Sequence, residues 1–377
     1  MTFVGLTWDH PRGYDALAET ARCVNEGRAT RLIHWNKQPL EGFESAPIAE
    51  LAEGNDLLVM DHPHIGEAVA EGCFLPLEDL YSDELLQAWR RDSVGPSSAS
   101  YYWDGKTWAL PLDVATQVMA RRVDRIAEPP RDWDELVEQA KRLPVALSLA
   151  GPHAVLTLMS MVAGGGGEVG GEGFLSDVEA LAALDIMQRL HALRPMGSER
   201  LNPIALLEAM VRSEDIALVP LVFGYVTYAS RRYGANAVGF SDTIRSEGGK
   251  GGVIGGTGIA FSRRCRPTPE LLAHIASLLS MRTQIEIFPA FGGQPSARSA
   301  WQDVEVNRLW GGFYCNTLGT AETALLRPRF DGYIAFQTAA ADCIRSALER
   351  RENPETTLAF LRSLWRQARH GARGPIE

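Results

Sequence analysis

Short apolar runs alternate with helical patterns through the first third of the chain, and this alternation most constrains the fold. The spacing predicts strands at 3–8, 31–35 and 56–61, and helices at 14–25, 48–52 and 65–72. Such alternation indicates a parallel sheet with helices packed on its faces. We therefore expect an α/β protein.

Local signals indicate where further elements begin. Asp104-Gly105 between aromatic flanks predicts a hairpin over 103–108. Asp132 and Thr268 are predicted N-caps, and Ser176 is predicted to form a capping box with Glu179. Further strands are predicted at 109–112, 116–121, 215–220 and 251–262. Further helices are predicted at 83–90, 132–143, 155–162, 176–193, 204–212, 268–281, 283–288 and 353–369.

Size and charge restrict the class of protein. A length of 377 residues is enough for about two domains, each with its own hydrophobic core. The 37 basic and 47 acidic side chains give a net charge of −10. An acidic chain without a basic run is a poor candidate for binding nucleic acid. No apolar run reaches the length of a membrane span, so we expect no membrane insertion.

The N-terminal residues and the cysteines bear on localisation. The first ten residues contain no basic region, apolar core or cleavage site of a signal peptide. As the chain is written, we expect a cytoplasmic protein; the alternative is a periplasmic or extracellular one whose leader was trimmed. Five widely spaced cysteines predict buried structural thiols rather than disulfides or a zinc site.

The motifs of common enzymes are missing from the sequence. The glycine-rich stretches 164–173 and 248–252 lack the Gly-Lys-Ser/Thr ending of a phosphate-binding loop. There is no Gly-x-Ser-x-Gly elbow and no His-Glu-x-x-His pair. We therefore expect no cofactor and predict no catalytic residue, although the many carboxylates leave acid–base pairs open.

Polar and aromatic side chains follow three of the predicted strands. Because ligands bind beyond the carboxyl ends of strands in open α/β sheets, these positions predict a ligand cleft. The alternative is that they are ordinary loop residues and helix caps. A metal site formed by His10, Asp61, His62 and His64 is a further alternative, since imidazole and carboxylate bind zinc or iron. The candidate ligand-binding residues here are Trp8, His10, Arg12, His34, Trp35, Asp61, His62 and His64.

The order of short segments resembles that of the extracellular solute-binding proteins of ABC transporters, in the family that includes many sugar-binding members. The resemblance spans nearly the whole chain. Each segment is weak evidence by itself, and the segments together are fairly specific. The segments are Asp56-Leu-Leu-Val-Met-Asp61, Gly72-Cys-Phe-Leu-Pro-Leu-Glu-Asp-Leu80, Tyr102-Trp-Asp-Gly-Lys-Thr-Trp-Ala-Leu-Pro111, Pro130-Arg-Asp-Trp-Asp-Glu-Leu136, Gly255-Gly-Thr-Gly-Ile-Ala-Phe-Ser262 and Phe291-Gly-Gly-Gln-Pro-Ser-Ala-Arg-Ser-Ala-Trp301.

This resemblance implies a periplasmic-binding-protein-like type II fold. Two α/β lobes are joined by a hinge, and a ligand is held in the cleft between them. The implied first lobe is 1–112 plus 262–308, and the second is 113–261 plus 309–377. The implied site adds Asp113 and Thr116 at the cleft floor, Phe223 and Tyr225 as a stacking wall, and Gly293 and Gln294 as polar contacts.

The function expected from this reading is capture of a small polar ligand by hinge closure. Aromatic rings suit the C–H-rich faces of a sugar, while Arg12 and the histidines also suit a sugar acid or a small carboxylate. We expect a monomer that delivers its ligand to an ABC permease. The alternatives are a cytosolic lyase or hydrolase, or a ligand sensor, on the same fold.

Overall fold

The computed structural model describes residues 2–375, apart from the side chains of Glu41, Glu44 and Ser45. The outer ends of the two predicted lobes, at residue 1 and at residues 376–377, lie outside the described residues. Within them, no helix is long and apolar enough to cross a membrane.

Strands from both halves of the chain form one mixed sheet. The strands of the described chain are β1 Phe3–Trp8, β2 Ile33–Gln38, β3 Leu57–Met60, β4 Tyr102–Trp103, β5 Lys106–Thr107, β6 Leu110–Arg122, β7 Val169–Gly171, β8 Phe174–Leu175, β9 Leu218–Phe223, β10 Val238–Ser241 and β11 Ile254–Phe261. The main sheet has the order β10-β6-β11-β3-β1-β2, and β9 also pairs with β6.

Helices cover the faces of this sheet. They are α1 Pro11–Asn25, α2 Leu40–Ser45, α3 Ile48–Gly54, α4 Ile65–Ala70, α5 Asp83–Asp92, α6 Trp133–Ala140, α7 His153–Gly164, α8 Asp177–Leu193, α9 Pro203–Arg212, α10 Pro269–Leu278, α11 Arg298–Gln302, α12 Val304–Leu309, α13 Phe313–Glu322, α14 Tyr333–Arg350 and α15 Pro354–Gly371. The expected α/β class is therefore confirmed.

Two long antiparallel strands connect two groups of strands. β11 pairs with β3 on one side, and β3 and β2 each pair in parallel with β1. β6 pairs with β11 through its first half and with β9 and β10 through its second half. The parallel part of the sheet agrees with the expectation from alternation, while β6, β9, β10 and β11 make the remainder antiparallel.

Within the described chain, the hydrophobic core consists of three clusters of buried side chains. Phe3, Leu17 and Leu271 belong to a cluster between β1–β3 and helices α1 and α10. Val222, Phe240 and other buried side chains form a second cluster around β9 and β10. A third cluster packs α7, α14 and α15 together, and every residue of α7 is buried.

Several predicted elements differ from the observed ones. The strands predicted at 109–112 and 116–121 are one strand, β6, because backbone pairing with β11 continues through Asp113 and Val114. β2 extends to Gln38 rather than ending at Trp35. Ser176 does not cap α8 with its side chain; its hydroxyl instead accepts a hydrogen bond from the Glu168 backbone N–H, so no capping box forms.

The cysteines are free in the described chain, as expected. Cys73 and Cys265 are buried, and burial raises their pKa values to about 11 and about 12. Cys23 on α1 and Cys315 on α13 are exposed, so the prediction of buried thiols is wrong for these two. Each sits on the solvent side of its helix rather than on the packed side.

Candidate functional site

A small cavity lies where β1 and β3 end beside the crossing strands β6 and β11. Its volume is about 50 Å³, well below the roughly 300–1,000 Å³ of a typical ligand pocket. The cavity is therefore too small, as it stands, to hold a ligand of sugar size. It is lined by Trp8, Arg12, Leu40, Phe43, Asp61, Ala115, Phe223, Tyr225, Gly255, Gly256 and Thr257.

Arg12 is the central cation of this cavity. His10 caps α1 by accepting a hydrogen bond from the Arg12 backbone N–H (3.1 Å), and Pro11 occupies the first helical turn. This local geometry directs the Arg12 side chain inward, where only 4% of it is exposed. Its guanidinium forms a bidentate ion pair with Asp113, with Nε at 2.9 Å from Oδ2.

Arg12 also contacts the far wall of the cavity. Nη1 donates to the carbonyl oxygen of Gly224 at 3.2 Å. The guanidinium lies 4.8 Å from the ring centre of Tyr225 and 5.6 Å from that of Trp8. Burial opposes the charged form, but the neighbouring Asp113 carboxylate outweighs it and raises the pKa of Arg12. Arg12 therefore stays cationic and fixed in position.

Aromatic rings form one wall of the cavity. His10 stacks on Trp8 with ring centres 5.1 Å apart, and Tyr225 meets both rings edge-on. The indole nitrogen of Trp8 is buried and has no hydrogen-bond partner among the described residues. Burial, and then the charge of Arg12, lower the pKa of His10 to about 4, so this ring is neutral at pH 7.

Asp61 is the anion of the same cavity. It follows β3, caps the short turn at His62–His64, and accepts a hydrogen bond from the His62 backbone N–H at 2.9 Å. Its other oxygen pairs with Arg327 at 2.5 Å. Burial opposes ionisation of Asp61, but Arg327 and His62 together hold its pKa below the usual range. Asp61 is therefore an ionised and anchored acceptor.

Three predicted residues have their polar groups engaged inside the protein. Asp113 pairs with Arg12 and accepts from the Gln294 backbone N–H at 3.2 Å. The Gln294 amide donates to the carbonyl oxygen of Val114 and accepts from the Val226 backbone N–H. The Gly293 carbonyl accepts from Tyr314. These contacts join β6 to the segments beside it, and none of the three residues lines the cavity.

Thr116, another predicted residue, differs from these three. It is buried in the middle of β6, paired with Ile254, and its hydroxyl has no hydrogen-bond partner in the described chain. It does not line the cavity, but its neighbour Ala115 does. Thr116 therefore lies beside the cavity, one residue along β6 from a residue that lines it, and its place at the cleft floor stays a prediction.

His34 and Trp35 lie elsewhere. Both line a different pocket of about 410 Å³, between α1 and the edge strand β2. Their predicted position at a strand end depended on β2 ending at Trp35, whereas it continues through Gln38. His34 is exposed and Trp35 is buried against Gly5 of β1. The structure does not bring these two residues to the cavity.

His62 and His64 are also separated from the cavity. Both side chains are buried behind Asp61, in the turn that follows β3. His62 meets Tyr101 edge-on, and burial followed by the charge of Arg327 lowers its pKa to about 4. Across residues 2–375, no group of three or more His, Cys, Asp or Glu side chains is arranged to hold a metal ion.

Some cavity residues were missed from the sequence. Leu40 and Phe43 come from α2, a short helix without a strong pattern. Gly255, Gly256 and Thr257 were recognised only as a returning strand. Their Gly-Gly sequence was the available signal, since a Cβ on Gly256 would lie 2.2 Å from the Asp113 carbonyl oxygen. Nothing local indicated Arg327, which lies 266 positions from its partner.

A pocket of about 860 Å³ is larger but has no comparable set of groups. It is lined by Gly95 and Pro96, the loop 245–250 and the segment 322–324, and none of these lining residues is aromatic. The groups that converge on the small cavity are a fixed cation, a fixed anion and four aromatic rings. The fold is thus an α/β fold with a polar, aromatic-walled cavity between two groups of strands.

Comparison with known proteins agrees with this class. Residues 38–191 match the family described as bacterial extracellular solute-binding protein. The chain is also similar over its length to solved structures, which confirms the resemblance seen in the sequence and the type II fold. At identities of 16–19% the structural likeness shows the fold.

Three of the similar structures illustrate the likeness. An ABC transporter solute-binding protein from Agrobacterium radiobacter K84, in complex with ribitol, has a TM-score of 0.80 and 19% identity; the match covers 97% of this chain and 98% of that chain. Maltose-bound MalE3 of T. maritima has a TM-score of 0.82 at 18% identity, covering 97% and 99%. The Thermus thermophilus maltotriose-binding protein, bound with maltotriose, has a TM-score of 0.75 at 17% identity, covering 98% and 100%.

Proposed function

We propose that this chain is a solute-binding protein that captures a small polar ligand, a sugar or sugar acid, between two lobes for an ABC transporter. The observation that carries the proposal is the cavity, in which Arg12, Asp61 and the ring of Tyr225 converge from different groups of strands. The matched family and the similar structures are binding proteins rather than enzymes, which supports binding over catalysis.

The proposed lobes are 1–112 plus 262–308 and 113–261 plus 309–377. With this division, the contact from Arg12 to the Gly224 carbonyl links one lobe to the other across the cavity. β11 has an irregular register between Thr257 and Gly258, and Gly256 has a positive φ of 98°. A bulge beside a glycine lets a strand bend, so this position is a suitable hinge.

Opening of the lobes is required for a ligand of sugar size to enter. The cavity of about 50 Å³ holds at most a few water molecules. In the proposed cycle, a ligand enters the open form and selects the closed form through contacts with both lobes. The proposed direct contacts are Trp8, Arg12, Asp61, Phe223 and Tyr225, with His10 supporting the Trp8 ring.

The proposed location is outside the cytoplasmic membrane. The matched family is described as extracellular, which favours the periplasmic or extracellular alternative over the cytoplasmic expectation from the first residues. The partners in this proposal are the small-molecule ligand and an ABC permease. The protein is proposed to act as a monomer, because each chain contributes both sides of the cavity.

A binding screen with a measurement of closure tests the proposal. Sugars, polyols, sugar acids and small carboxylates are screened by thermal unfolding, since a ligand at 100 times its Kd stabilises by about 2.7 kcal/mol. Small-angle scattering of the best binder should show a smaller radius of gyration than the ligand-free protein. Recovery of the ligand unchanged after long incubation supports binding, whereas its conversion to product supports the enzyme alternative. A raised melting temperature without closure would contradict the hinge.

A further inference from the structure

Each of the two charged residues that line the cavity is paired with an opposite charge outside it, and these two ion pairs determine the net charge of the cavity. Arg12 and Asp61 line the cavity, whereas their partners Asp113 and Arg327 do not. Each pair is buried: Arg12, Asp113 and Arg327 are at most 4% exposed and Asp61 is 17% exposed. The formal charges cancel within each pair. The histidines beside them, His10 and His62, have pKa values lowered to about 4 and are neutral at pH 7.

The two pairs leave hydrogen-bonding capacity in the cavity. A guanidinium has five N–H donors, and Arg12 uses three of them on Asp113 and Gly224. Asp61 accepts from the His62 backbone N–H through Oδ1 and from Arg327 through Oδ2, and the His62 ring Nδ1 also lies 3.1 Å from Oδ1. A carboxylate has about four acceptor positions, so Asp61 retains some. The cavity therefore presents donors and acceptors without a net charge.

We propose that Asp113 and Arg327 determine the charge of the ligand, and that they select an uncharged polyhydroxy compound over its acid or its amine. This inference rests on the proposed function and specifies its ligand. A hydroxyl group both donates and accepts, so it satisfies Arg12 and Asp61 together. A charged ligand would lose its hydration in the closed cavity without gaining a free counter-charge. Rejection by an uncompensated charge is a general means of specificity.

Loss of Asp113 and loss of Arg327 should shift the preferred charge of the ligand in opposite directions. Without the carboxylate of Asp113, the positive charge of Arg12 is free to pair with a ligand carboxylate. Without the guanidinium of Arg327, the negative charge of Asp61 is free to pair with a ligand ammonium. Loss of either residue through general damage to the fold would weaken every ligand alike. Opposite shifts in charge preference are therefore specific to the proposed role.

The test is titration calorimetry at pH 6.5 with two sets of probes. One set is glucose, glucuronate and glucosamine; the other is ribitol, ribonate and 1-amino-1-deoxyribitol. The wild-type protein should bind the neutral member of at least one set at least tenfold more tightly than its acid and its amine. Asp113→Asn should raise affinity for the acid relative to the neutral member at least tenfold. Arg327→Gln should do the same for the amine.

Two exposed ion pairs provide matched controls. Asp185→Asn removes a carboxylate paired with Arg189, and Arg308→Gln removes a guanidinium paired with Glu305. Both are outside the cavity and should leave all three affinities unchanged. If Asp113→Asn fails to fold, Arg327→Gln and the wild-type preference still decide the question.

The outcomes separate this inference from the proposed function. Tighter binding of the acid or the amine by the wild-type protein overturns the inference and leaves the solute-binding function intact. Unchanged charge preference in both folded variants overturns it as well. Absence of binding by every probe, neutral or charged, contradicts the proposed function and this inference together.

Discussion

Trp8 and Trp35 lie on neighbouring parallel strands and are buried to nearly the same degree, at 3% and 4% exposure. In both, the indole nitrogen has no hydrogen-bond partner in the described chain. Trp8 nevertheless lines the cavity with Arg12 and Tyr225, while Trp35 lines a pocket at the outer edge of the sheet. Similar residues with similar burial thus have different surroundings.

The register of the two strands explains the difference. Trp8 is opposite Gln38, whereas Trp35 is opposite Gly5, three residues further from the carboxyl end of the sheet. Three residues of a strand span about 10 Å. An odd offset also reverses the face on which a side chain lies. Trp35 therefore does not reach the cavity, because it lies too far from the carboxyl end of the sheet and on the opposite face.

Among the variants that test this comparison, removal of the Arg12 charge should lower the free energy of unfolding the most. Arg12→Met leaves Asp113 buried without its partner, and loss of one member of a buried pair costs about 3–5 kcal/mol in free energy of unfolding. Lys37→Met is the control on β2, because the Lys37–Asp9 pair is exposed and its loss should not change stability measurably. Chemical denaturation measures both. Equal losses in the two variants would show that Arg12 is not anchored as described.

The two tryptophans should differ in how much each contributes to ligand affinity. Trp8→Ala and Trp35→Ala each create a cavity in a packed region, so both should lower the free energy of unfolding by about 3–5 kcal/mol. Only Trp8→Ala should weaken binding of the ligand found in the screen, by at least tenfold or about 1.4 kcal/mol. Calorimetric titration of the folded variants measures this. A similar loss of affinity in Trp35→Ala would place the site nearer the sheet edge.

The histidine that stacks on Trp8 should make the free energy of unfolding depend on pH. Burial, and then Arg12, lower the pKa of His10 to about 4 in the folded protein, against about 6.5 when unfolded. Between these values the unfolded chain binds more protons, so the free energy of unfolding falls as the pH falls from 6.5 to 4. His10→Asn keeps an N-cap residue and should make this fall shallower. An unchanged slope in the folded His10→Asn variant would contradict this assignment.

Local chemistry explains which parts of the fold could be predicted. The Asp104-Gly105 turn has positive φ at both residues, as this hairpin type requires. Asp132 and Thr268 cap α6 and α10 through their side chains, as expected. These features depend on a few adjacent residues. The class of fold follows from alternation, which also repeats over short distances.

The unpredicted parts depend on distant residues or on a weak pattern. Helix α14 was not predicted, because alanine occurs on both its exposed side, at Ala335, and its buried side, at Ala340 and Ala341. The apolar stripe of such a helix is hard to distinguish. The partnership of Asp61 with Arg327 depends on the path of the whole chain. No local signal distinguishes such an arginine from a surface one.

The uneven burial of the cysteines has a practical consequence. Cys73, Cys265 and Cys343 have pKa values raised by burial to about 11, 12 and 11, so they remain protonated and unreactive at neutral pH. Cys23 and Cys315 are exposed and belong to the two different proposed lobes; burial and then Glu19 also raise the pKa of Cys23, so its labelling calls for a mildly alkaline buffer. A pair of fluorescent dyes attached to these native thiols would report the distance between the lobes, so closure could be followed in single molecules without introducing a cysteine.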